Sequence, residues 1–420
     1  ELQLTGETGR FRWLVGAFYY DENVDHVNIV SLGGNNGCLP FSVPTSGYPV
    51  CNFAAGQQYA TPGINRKITN NQAFELDVKA MALFGQTTIR LTDTWSATLG
   101  LRWTDEEKDQ AYDFFIDNSA RVANAAGLPP IVFPTFSPRN PNNRAPTAYN
   151  ASWSKTTPKV GLEWKPSDNV MYYASWAQGF KSGGFAGRPN PNSTGTFGAI
   201  VPYDPEEMDS YEIGVKSQFA EDRVRLNVAV FQSKYEGIQL LALDVQSGFF
   251  NTLNAAESRI RGAEVELLAR PIPQFELQMG LGYTDDEYQE LSPGVQISGL
   301  TYDMHLPLTP ELNGSLGAQY TWDLGTGALS LRGDYTYKSE FWYEAVNSPG
   351  NRQGGFGLFN ARATYAFGDG KWSVAAYGLN LTDKVYSTNI QDIVGPLGVR
   401  FESISAPREW GLEVRYRFGN

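Results

Sequence analysis

Apolar and polar residues alternate along most of this chain, which is the pattern of β-strands that carry one apolar face. Within residues 223–230, the residues Val224, Leu226, Val228 and Val230 share one face, and most residues between them are polar. No window of similar length shows a sustained helical period of 3.6. The chain is therefore predicted to consist of strands.

Fifteen such segments can be counted along the chain. Many exceed ten residues, whereas strands of soluble proteins have about 5–6 residues and a membrane-spanning strand needs about 9–11. The predicted strands are 1–6, 10–26, 72–85, 95–112, 151–165, 169–181, 206–219, 222–245, 249–270, 273–288, 307–323, 328–343, 355–367, 371–387 and 405–418.

The connections between these strands are alternately short and long, with 246–248 as the exception. This alternation is typical of a transmembrane barrel, which has tight periplasmic turns and long extracellular loops. The sequence thus predicts an all-β protein, specifically a transmembrane antiparallel β-barrel. The predicted extracellular loops are 27–71, 113–150, 182–205, 289–306, 344–354 and 388–404.

The chemistry of the two strand faces agrees with a barrel. The polar faces carry charges of both signs, such as Glu212 with Lys216 and Arg332 with Asp334, which we interpret as ion pairs in the lumen. Aromatic residues such as Trp103 cluster near segment ends, as they do in the aromatic girdles at membrane interfaces.

Composition narrows the possible functions. The 420 residues carry a net charge of −12, which makes a nucleic acid an unlikely partner. The chain has 2 Cys and 2 His and lacks the HExxH, GxSxG, P-loop and GxGxxG motifs, so we predict no enzyme activity, no cofactor and no metal site. Its apolar stretches are shorter than the roughly 18–20 residues of a membrane-spanning helix.

The two cysteines, Cys38 and Cys51, lie in the long loop 27–71. An exposed loop outside the cell is in an oxidising environment, so we predict a disulfide between them rather than two unrelated thiols. His305 could ligate iron, but a single histidine is more often an ordinary polar loop residue.

Five segments resemble TonB-dependent outer-membrane receptors and follow one another in that family's order. They are 172–185 (YYASWAQGFKSGGF), 211–216 (YEIGVK), 261–266 (RGAEVE), 380–386 (NLTDKVY) and 407–412 (PREWGL). Phe418 ends the last predicted strand, 405–418, and is similar to the terminal Phe that the barrel-assembly machinery recognises in this class.

The resemblance implies an outer-membrane importer of a scarce nutrient, such as a ferric siderophore, cobalamin or a glycan. Such receptors close about 22 strands around a plugged lumen and are energised by the TonB complex. With 15 strands and no plug, residues 1–420 are expected to be the C-terminal portion of the barrel. Its first and last strands should each keep one unpaired edge. The implied partners are outer-membrane lipid, a small-molecule ligand, and TonB through the plug.

A ligand must first pass the extracellular side, so contact residues are expected there. Lys181, Phe185 and Arg188 lie near the start of the loop 182–205, and Trp342 and Tyr343 leave the membrane at another strand. A flat apolar ring and two cations would suit an anionic ligand. The alternative interpretation is that all five anchor the membrane interface.

Two other classes of function remain open at this point. A passive diffusion porin would also be a membrane barrel, and it would conduct ions where an intact plugged receptor would be nearly closed. A secreted β-rich carbohydrate-active enzyme would need paired catalytic carboxylates, and would be extracted without detergent.

Overall fold

The described part of the protein consists of antiparallel strands with very little helix. The computed structural model describes residues 1–34, 66–117, 147–185, 202–244, 249–297, 299–368, 370–393 and 399–418. The strands are β1 (Leu2–Thr8), β2 (Phe11–Gly34), β3 (Arg66–Arg90), β4 (Trp95–Asp117), β5 (Thr147–Ser167), β6 (Val170–Lys181), β7 (Gly184–Phe185), β8 (Pro202–Tyr203), β9 (Glu206–Phe219), β10 (Val224–Asp244), β11 (Phe249–Ile272), β12 (Phe275–Leu291), β13 (Leu312–Asp323), β14 (Gly327–Lys338), β15 (Phe341–Trp342), β16 (Arg352–Gln353), β17 (Phe356–Phe367), β18 (Trp372–Leu379), β19 (Ser387–Ile393), β20 (Val399–Ile404) and β21 (Glu409–Tyr416). One short helix, α1 (Pro293–Ile297), lies between β12 and β13. No helix in the described ranges is long and apolar enough to cross a membrane.

Fifteen of the strands form one antiparallel sheet in chain order, so the predicted number of long strands is confirmed. The sheet order is β1-β2-β3-β4-β5-β6-β9-β10-β11-β12-β13-β14-β17-β18-β21. The other six strands form the pairs β7–β8, β15–β16 and β19–β20, which lie within the long connections.

The first and last strands of the sheet each have one neighbour among the described strands. β1 pairs with β2 from Leu2 opposite Ala17 to Thr8 opposite Phe11. β21 pairs with β18 alone. Within the described ranges the sheet is open at both edges, which confirms the predicted pairing of the first and last segments.

Several strands continue further than the apolar pattern indicated. β2 and β3 remain paired up to Gly34 opposite Arg66, so the connection between them covers 35–65 rather than 27–71. Backbone hydrogen bonds hold an antiparallel pair together even where neither face is apolar. Alternation in the sequence therefore marks only the part of each strand that has an apolar face.

The predicted strand 371–387 is wrong at its C-terminal end, because β18 stops at Leu379. Asn380 has a positive φ of 48°, and its side chain closes a turn. Its Oδ1 accepts the Lys384 N–H at 2.9 Å, and its Nδ2 donates to the Lys384 carbonyl at 2.9 Å. An Asn side chain that satisfies its own backbone in this way competes with strand pairing.

One face of the sheet carries exposed apolar residues between two aromatic positions. On β4, Trp95 and Trp103 bracket Leu99 and Leu101, which are 48% and 57% exposed. Trp95 to Trp103 covers about 27 Å along the strand, or roughly 20 Å in height at a tilt near 40°, close to the apolar band of about 25 Å in membrane barrels. Trp95 also stacks on Trp164 of β5 at 5.7 Å, which continues one aromatic row across the strands.

The same face becomes charged beyond the upper aromatic row. Arg261 of β11 pairs with Asp285 of β12 at 2.6 Å, and Arg259 pairs with Glu287 at 2.6 Å. These ion pairs follow directly after the apolar part of both strands. The strands therefore extend past the apolar band at the end where the long connections lie, which we call the loop end.

The opposite face, which would line a barrel lumen, is polar. Arg332 pairs with Asp334 at 2.6 Å, as the sequence suggested. Glu212 instead accepts a hydrogen bond from the Tyr173 hydroxyl at 2.5 Å. The Tyr173 ring lies over Gly214, where a Cβ atom would be only 2.6 Å from the ring. Only glycine permits this close cross-strand approach.

A cluster of ten buried apolar residues lies at the loop end. They come from β10 to β12, from the segment around α1 and from the β15–β16 connection, so the cluster joins strands to loops. Its members are Ile238, Leu240, Ala255, Ala256, Tyr288, Leu291, Val295, Leu300, Leu306 and Ala345. Burial of this kind stabilises by about 25 cal/mol per Å² of apolar surface, so these loop bases are packed parts of the fold.

Candidate ligand-binding site

The connection that follows β6 is fixed to β4 at its start. The Lys108 ammonium donates to the Ser182 hydroxyl at 2.9 Å and to the Gly183 carbonyl at 2.7 Å, and it pairs with Glu106 at 2.9 Å. The Ser182 hydroxyl donates to Glu106 at 2.5 Å, just at the short limit of such bonds. Lys108 and Glu106 are therefore occupied in positioning this loop.

The same connection is fixed to β10 and β11 on its other side. The Gln239 amide donates to the Ser182 carbonyl at 2.9 Å. Asn254 accepts the Asp204 N–H at 2.6 Å and donates to the Asp204 carbonyl at 2.8 Å. The base of this loop is thus joined to β4 on one side and to β10 and β11 on the other.

Three aromatic rings meet beside this base. Phe185 lies 6.0 Å from Tyr149 and 6.5 Å from Trp153, measured between ring centroids. The Lys108 ammonium is 5.5 Å from the Trp153 centroid, which is a cation–π contact. Phe185 remains partly exposed. The cluster offers flat apolar surface that a planar ligand group could stack against.

The predicted anion-binding residues are only partly located here. Lys181 is exposed at the end of β6. Arg188 lies outside the described residues. Sequence reasoning missed Lys108 and Trp153, although the alternation within 95–112 and 151–165 could have placed both on the polar face.

A second cluster surrounds Trp342, the other predicted contact. The His305 ring stacks on Trp342 with centroids 5.2 Å apart and an interplanar angle of 10°. Tyr343 has a different role, since its hydroxyl donates to the Ser387 carbonyl at 2.6 Å and joins two hairpins. Burial raises the pKa of Tyr343 above its ordinary value.

His305 is held by three neighbours. Its Nδ1 lies 3.3 Å from a carboxylate oxygen of Asp286, whose side chain is only 3% exposed. The other oxygen of Asp286 accepts the Leu306 N–H at 2.6 Å. Asn347 accepts the His305 N–H at 2.6 Å and donates to the His305 carbonyl at 3.1 Å. The imidazole is therefore fixed in position and in orientation.

A half-buried carboxylate ties the β15–β16 hairpin to the β19–β20 hairpin. Glu344 accepts hydrogen bonds from the Asn351 amide and from the Asp392 N–H, both at 2.9 Å. Burial raises the pKa of the Glu344 carboxyl, and the two hydrogen bonds offset part of that effect. The link between these two hairpins therefore depends on the protonation state of the Glu344 carboxyl.

These contacts link the loop bases into one arrangement, which we call the collar. The collar comprises residues 182–185, 202–205, 291–297, 299–308, 341–353 and 387–392. No contact among the described residues joins Phe185 to Trp342, and six strands separate β5 from β14. The predicted contact residues thus form two places on the collar rather than one.

The remaining predicted residues are in other parts of the molecule. Cys38 and Cys51 lie outside the described residues, so their disulfide stays a prediction. Phe418 is 87% exposed and packs edge-on against Tyr416 with centroids 4.6 Å apart. Among the described residues, no group of three or more His, Cys, Asp or Glu could hold a metal ion.

The sheet, its apolar band and its polar inner face define a membrane β-barrel. The family model described as TonB dependent receptor-like, beta-barrel matches residues 2–381. The chain belongs to the TonB-dependent receptor β-barrel family. Members of this family are outer-membrane β-barrel proteins of Gram-negative bacteria.

Similar proteins include several named receptors. The probable TonB-dependent siderophore receptor PiuA of Acinetobacter baumannii is 26% identical over 295 residues, which cover 68% of this chain and 35% of that protein. The metal-pseudopaline receptor CntO of Pseudomonas aeruginosa is 25% identical over 295 residues, which cover 68% of this chain and 34% of CntO.

The fold is also that of solved receptors. The ferric yersiniabactin uptake receptor FyuA of Yersinia pestis superimposes with a TM-score of 0.71 at 15% identity, covering 99% of this chain and 53% of FyuA. The siderophore receptor PiuA gives a TM-score of 0.65 at 20% identity, covering 98% of this chain and 54% of PiuA. The chain spans about a third of the curated relatives' length and about half of these structures.

Proposed function

We propose that this chain is the C-terminal part of the barrel of an outer-membrane receptor that imports a metal chelate of the siderophore type. The observation that carries the proposal is the family match over residues 2–381. The names of the two curated relatives, a siderophore receptor and a metal-pseudopaline receptor, support the ligand class. The family consists of transport receptors and not of enzymes.

The complete receptor contains more polypeptide than this chain. The open edges at β1 and β21 leave backbone groups without partners, which costs several kcal/mol for each group in a bilayer. Further strands that close the barrel, and a plug that contacts TonB, would account for the length outside the match. In this arrangement the loop end is extracellular, and its lumen side is the vestibule that a ligand enters first.

The vestibule offers two ligand contacts. Phe185 with Trp153 gives an aromatic wall on one side, and Trp342 with His305 gives a second on the other. Lys108 is already bound to Glu106 and to the loop base, so it acts in positioning and not as a free cation for the ligand.

Uptake of ⁵⁵Fe carried by a catecholate, a hydroxamate or a phenolate chelator tests this proposal. Cells that produce the full-length receptor should import at least one of these chelates, and deletion of TonB should abolish the import. Import of none of them, or import that continues without TonB, would overturn the proposal and favour passive diffusion.

Two substitutions test the vestibule contacts. Phe185→Ala and Trp342→Ala should each weaken binding of the imported chelate by about tenfold, because buried aromatic anchors contribute roughly 1–2 kcal/mol or more at interfaces. Phe401→Ala is the control, since Phe401 is an exposed aromatic (58%) on the separate β19–β20 hairpin. Normal binding by both variants would make these residues interface anchors.

A further inference from the structure

We infer that His305 presents its Nε2 atom to the vestibule as a ligand for a metal that its chelator leaves incompletely coordinated. The substrate class would be chelates of divalent nickel, copper or zinc with an open coordination position. This inference rests on the proposed import function and assigns a role to one imidazole.

The position of the proton on His305 follows from its neighbour. A carboxylate can only accept hydrogen bonds, so the contact between Asp286 and Nδ1 places the imidazole proton on Nδ1. In the neutral ring this leaves the lone pair on Nε2. Within the described part of the chain, no group hydrogen-bonds to Nε2. A carboxylate behind the imidazole is the usual outer-shell arrangement of metal-ligating histidines, where it fixes the tautomer and raises basicity.

The position of the ring suits a ligand that arrives from solvent. The His305 side chain is 49% exposed, whereas the Asp286 behind it is 3% exposed. Stacking on Trp342 holds the ring, and the two hydrogen bonds between Asn347 and the His305 main chain hold the backbone that carries it, before any ligand binds. Such preorganisation reduces the entropic cost of binding.

The local charge also favours a cation. Among the described residues, Asp286 has no Lys or Arg partner. Its ion-pair contact in that set is with His305. Arg352, on the hairpin that carries Trp342, is already paired with Glu340. A metal ion at Nε2 would therefore lie near the Asp286 carboxylate, with the imidazole between them. Arg352 would not repel it as a free cation, because Arg352 is paired.

The chemistry of the donor decides the class of chelate. One imidazole cannot form a site alone, and the described residues hold no group of three or more potential metal ligands. The chelator must then supply the other donors. Imidazole suits nickel, copper and zinc, whereas a hexadentate oxygen chelator leaves ferric iron no open position.

The test uses the full-length receptor and Cu²⁺ held by iminodiacetate, which leaves coordination positions open. Electron paramagnetic resonance should show nitrogen coupling from an imidazole, and His305→Gln should lower the affinity by at least tenfold. Asp286→Asn should lower it by about 10–100-fold, as loss of outer-shell partners does. His26→Gln, which removes the other histidine of this chain, is the matched control and should retain the signal.

The competing outcomes are distinct. Cu²⁺ held by EDTA, which fills the coordination sphere, should not give the imidazole signal. Equal affinity in wild-type and His305→Gln, or equal losses in His305→Gln and His26→Gln, would mean an adventitious surface histidine only and would overturn the inference. If ⁵⁵Fe chelates are still imported in that case, the proposed function stands while this role of His305 fails. Heat-modifiable migration of each variant confirms that its barrel has folded.

Discussion

Replacing Val228 of β10 by Arg should destabilise the barrel far more than the same replacement at the neighbouring Asn227. Val228 lies on the apolar face, opposite Val215 of β9 and Val265 of β11. Asn227 lies on the polar face, where its amide donates to Glu266 at 3.1 Å. The two positions are adjacent in sequence and differ only in the face that they occupy.

The position of Val228 in the apolar band sets the size of the effect. The next polar residue on its face is Gln232, four residues further along the strand. That separation is about 13 Å along the strand and roughly 10 Å in height at the usual tilt. Val228 is therefore close to the middle of a band about 25 Å high, where an Arg costs about 2–4 kcal/mol. At position 227 an Arg can pair with Glu266, so we expect a much smaller cost.

Equilibrium urea titration of the full-length receptor in lipid vesicles measures this difference. The free energy of unfolding should fall by about 2–4 kcal/mol for Val228→Arg and by well under 1 kcal/mol for Asn227→Arg. Equal losses in the two variants, or a larger loss for Asn227→Arg, would refute the assignment of the two faces. An unchanged denaturant slope would show that both variants unfold from the same kind of folded state.

Three other changes test the loop end. In full-length protein purified without reductant, Cys38 and Cys51 should resist alkylation until they are reduced. Their disulfide should stabilise the folded protein by about 3 kcal/mol, the estimate for a closed loop of roughly 15 residues. Free thiols in the native protein would contradict this prediction. Gly183→Ala adds a methyl group that would overlap a tryptophan ring and a backbone carbonyl. Amide exchange at this loop base should therefore become faster, whereas Gly354→Ala, with open space around the new methyl, should change nothing. The pKa of the Glu344 carboxyl is raised in the folded state. The stabilisation that this group gives to its hairpin is therefore complete when the pH is below the ordinary Glu pKa of about 4.3. It is lost as the pH rises through the folded-state pKa. Protection of the hairpin amides should thus decrease from pH 4 to pH 7, and Glu344→Gln should remove that dependence.

Much of the fold could be predicted because one physical rule governs long stretches of it. A strand in a membrane barrel must alternate between lipid and lumen, so a period of two appears in the sequence wherever the strand crosses the apolar band. The number and the order of the fifteen strands followed from this period. Where a strand leaves the band the rule no longer applies, and the ends at Gly34 and Arg66 could not be placed.

The turn at Asn380 was missed for a local reason. Leu381, Val385 and Tyr386 look like a continuation of the strand, but the Asn380 side chain makes two backbone hydrogen bonds that redirect the chain. The sequence signal was present in the Asn residue itself, since Asn tolerates positive φ. The alternation on either side concealed it.

The candidate site was harder to predict than the fold. Phe185 and Trp342 were chosen as candidates because aromatic residues at strand ends are conspicuous, and their contact with a ligand stays a prediction. The contact of Lys108 with Ser182 joins residues 74 positions apart, and that of Asp286 with His305 joins residues 19 apart. Such contacts depend on strand register and on how a loop folds back, and neither has a sequence period.

The collar has a consequence for how the loops move. Loops with free bases fluctuate independently on nanosecond to microsecond timescales, whereas packed elements move together and more slowly. Here Gln239 and Asn254 fasten one loop to β10 and β11, and Leu306 and Ala345 bury two others in the same apolar cluster. Displacement of one loop would therefore displace its neighbours. We expect the collar to open as a single hinged unit and not loop by loop.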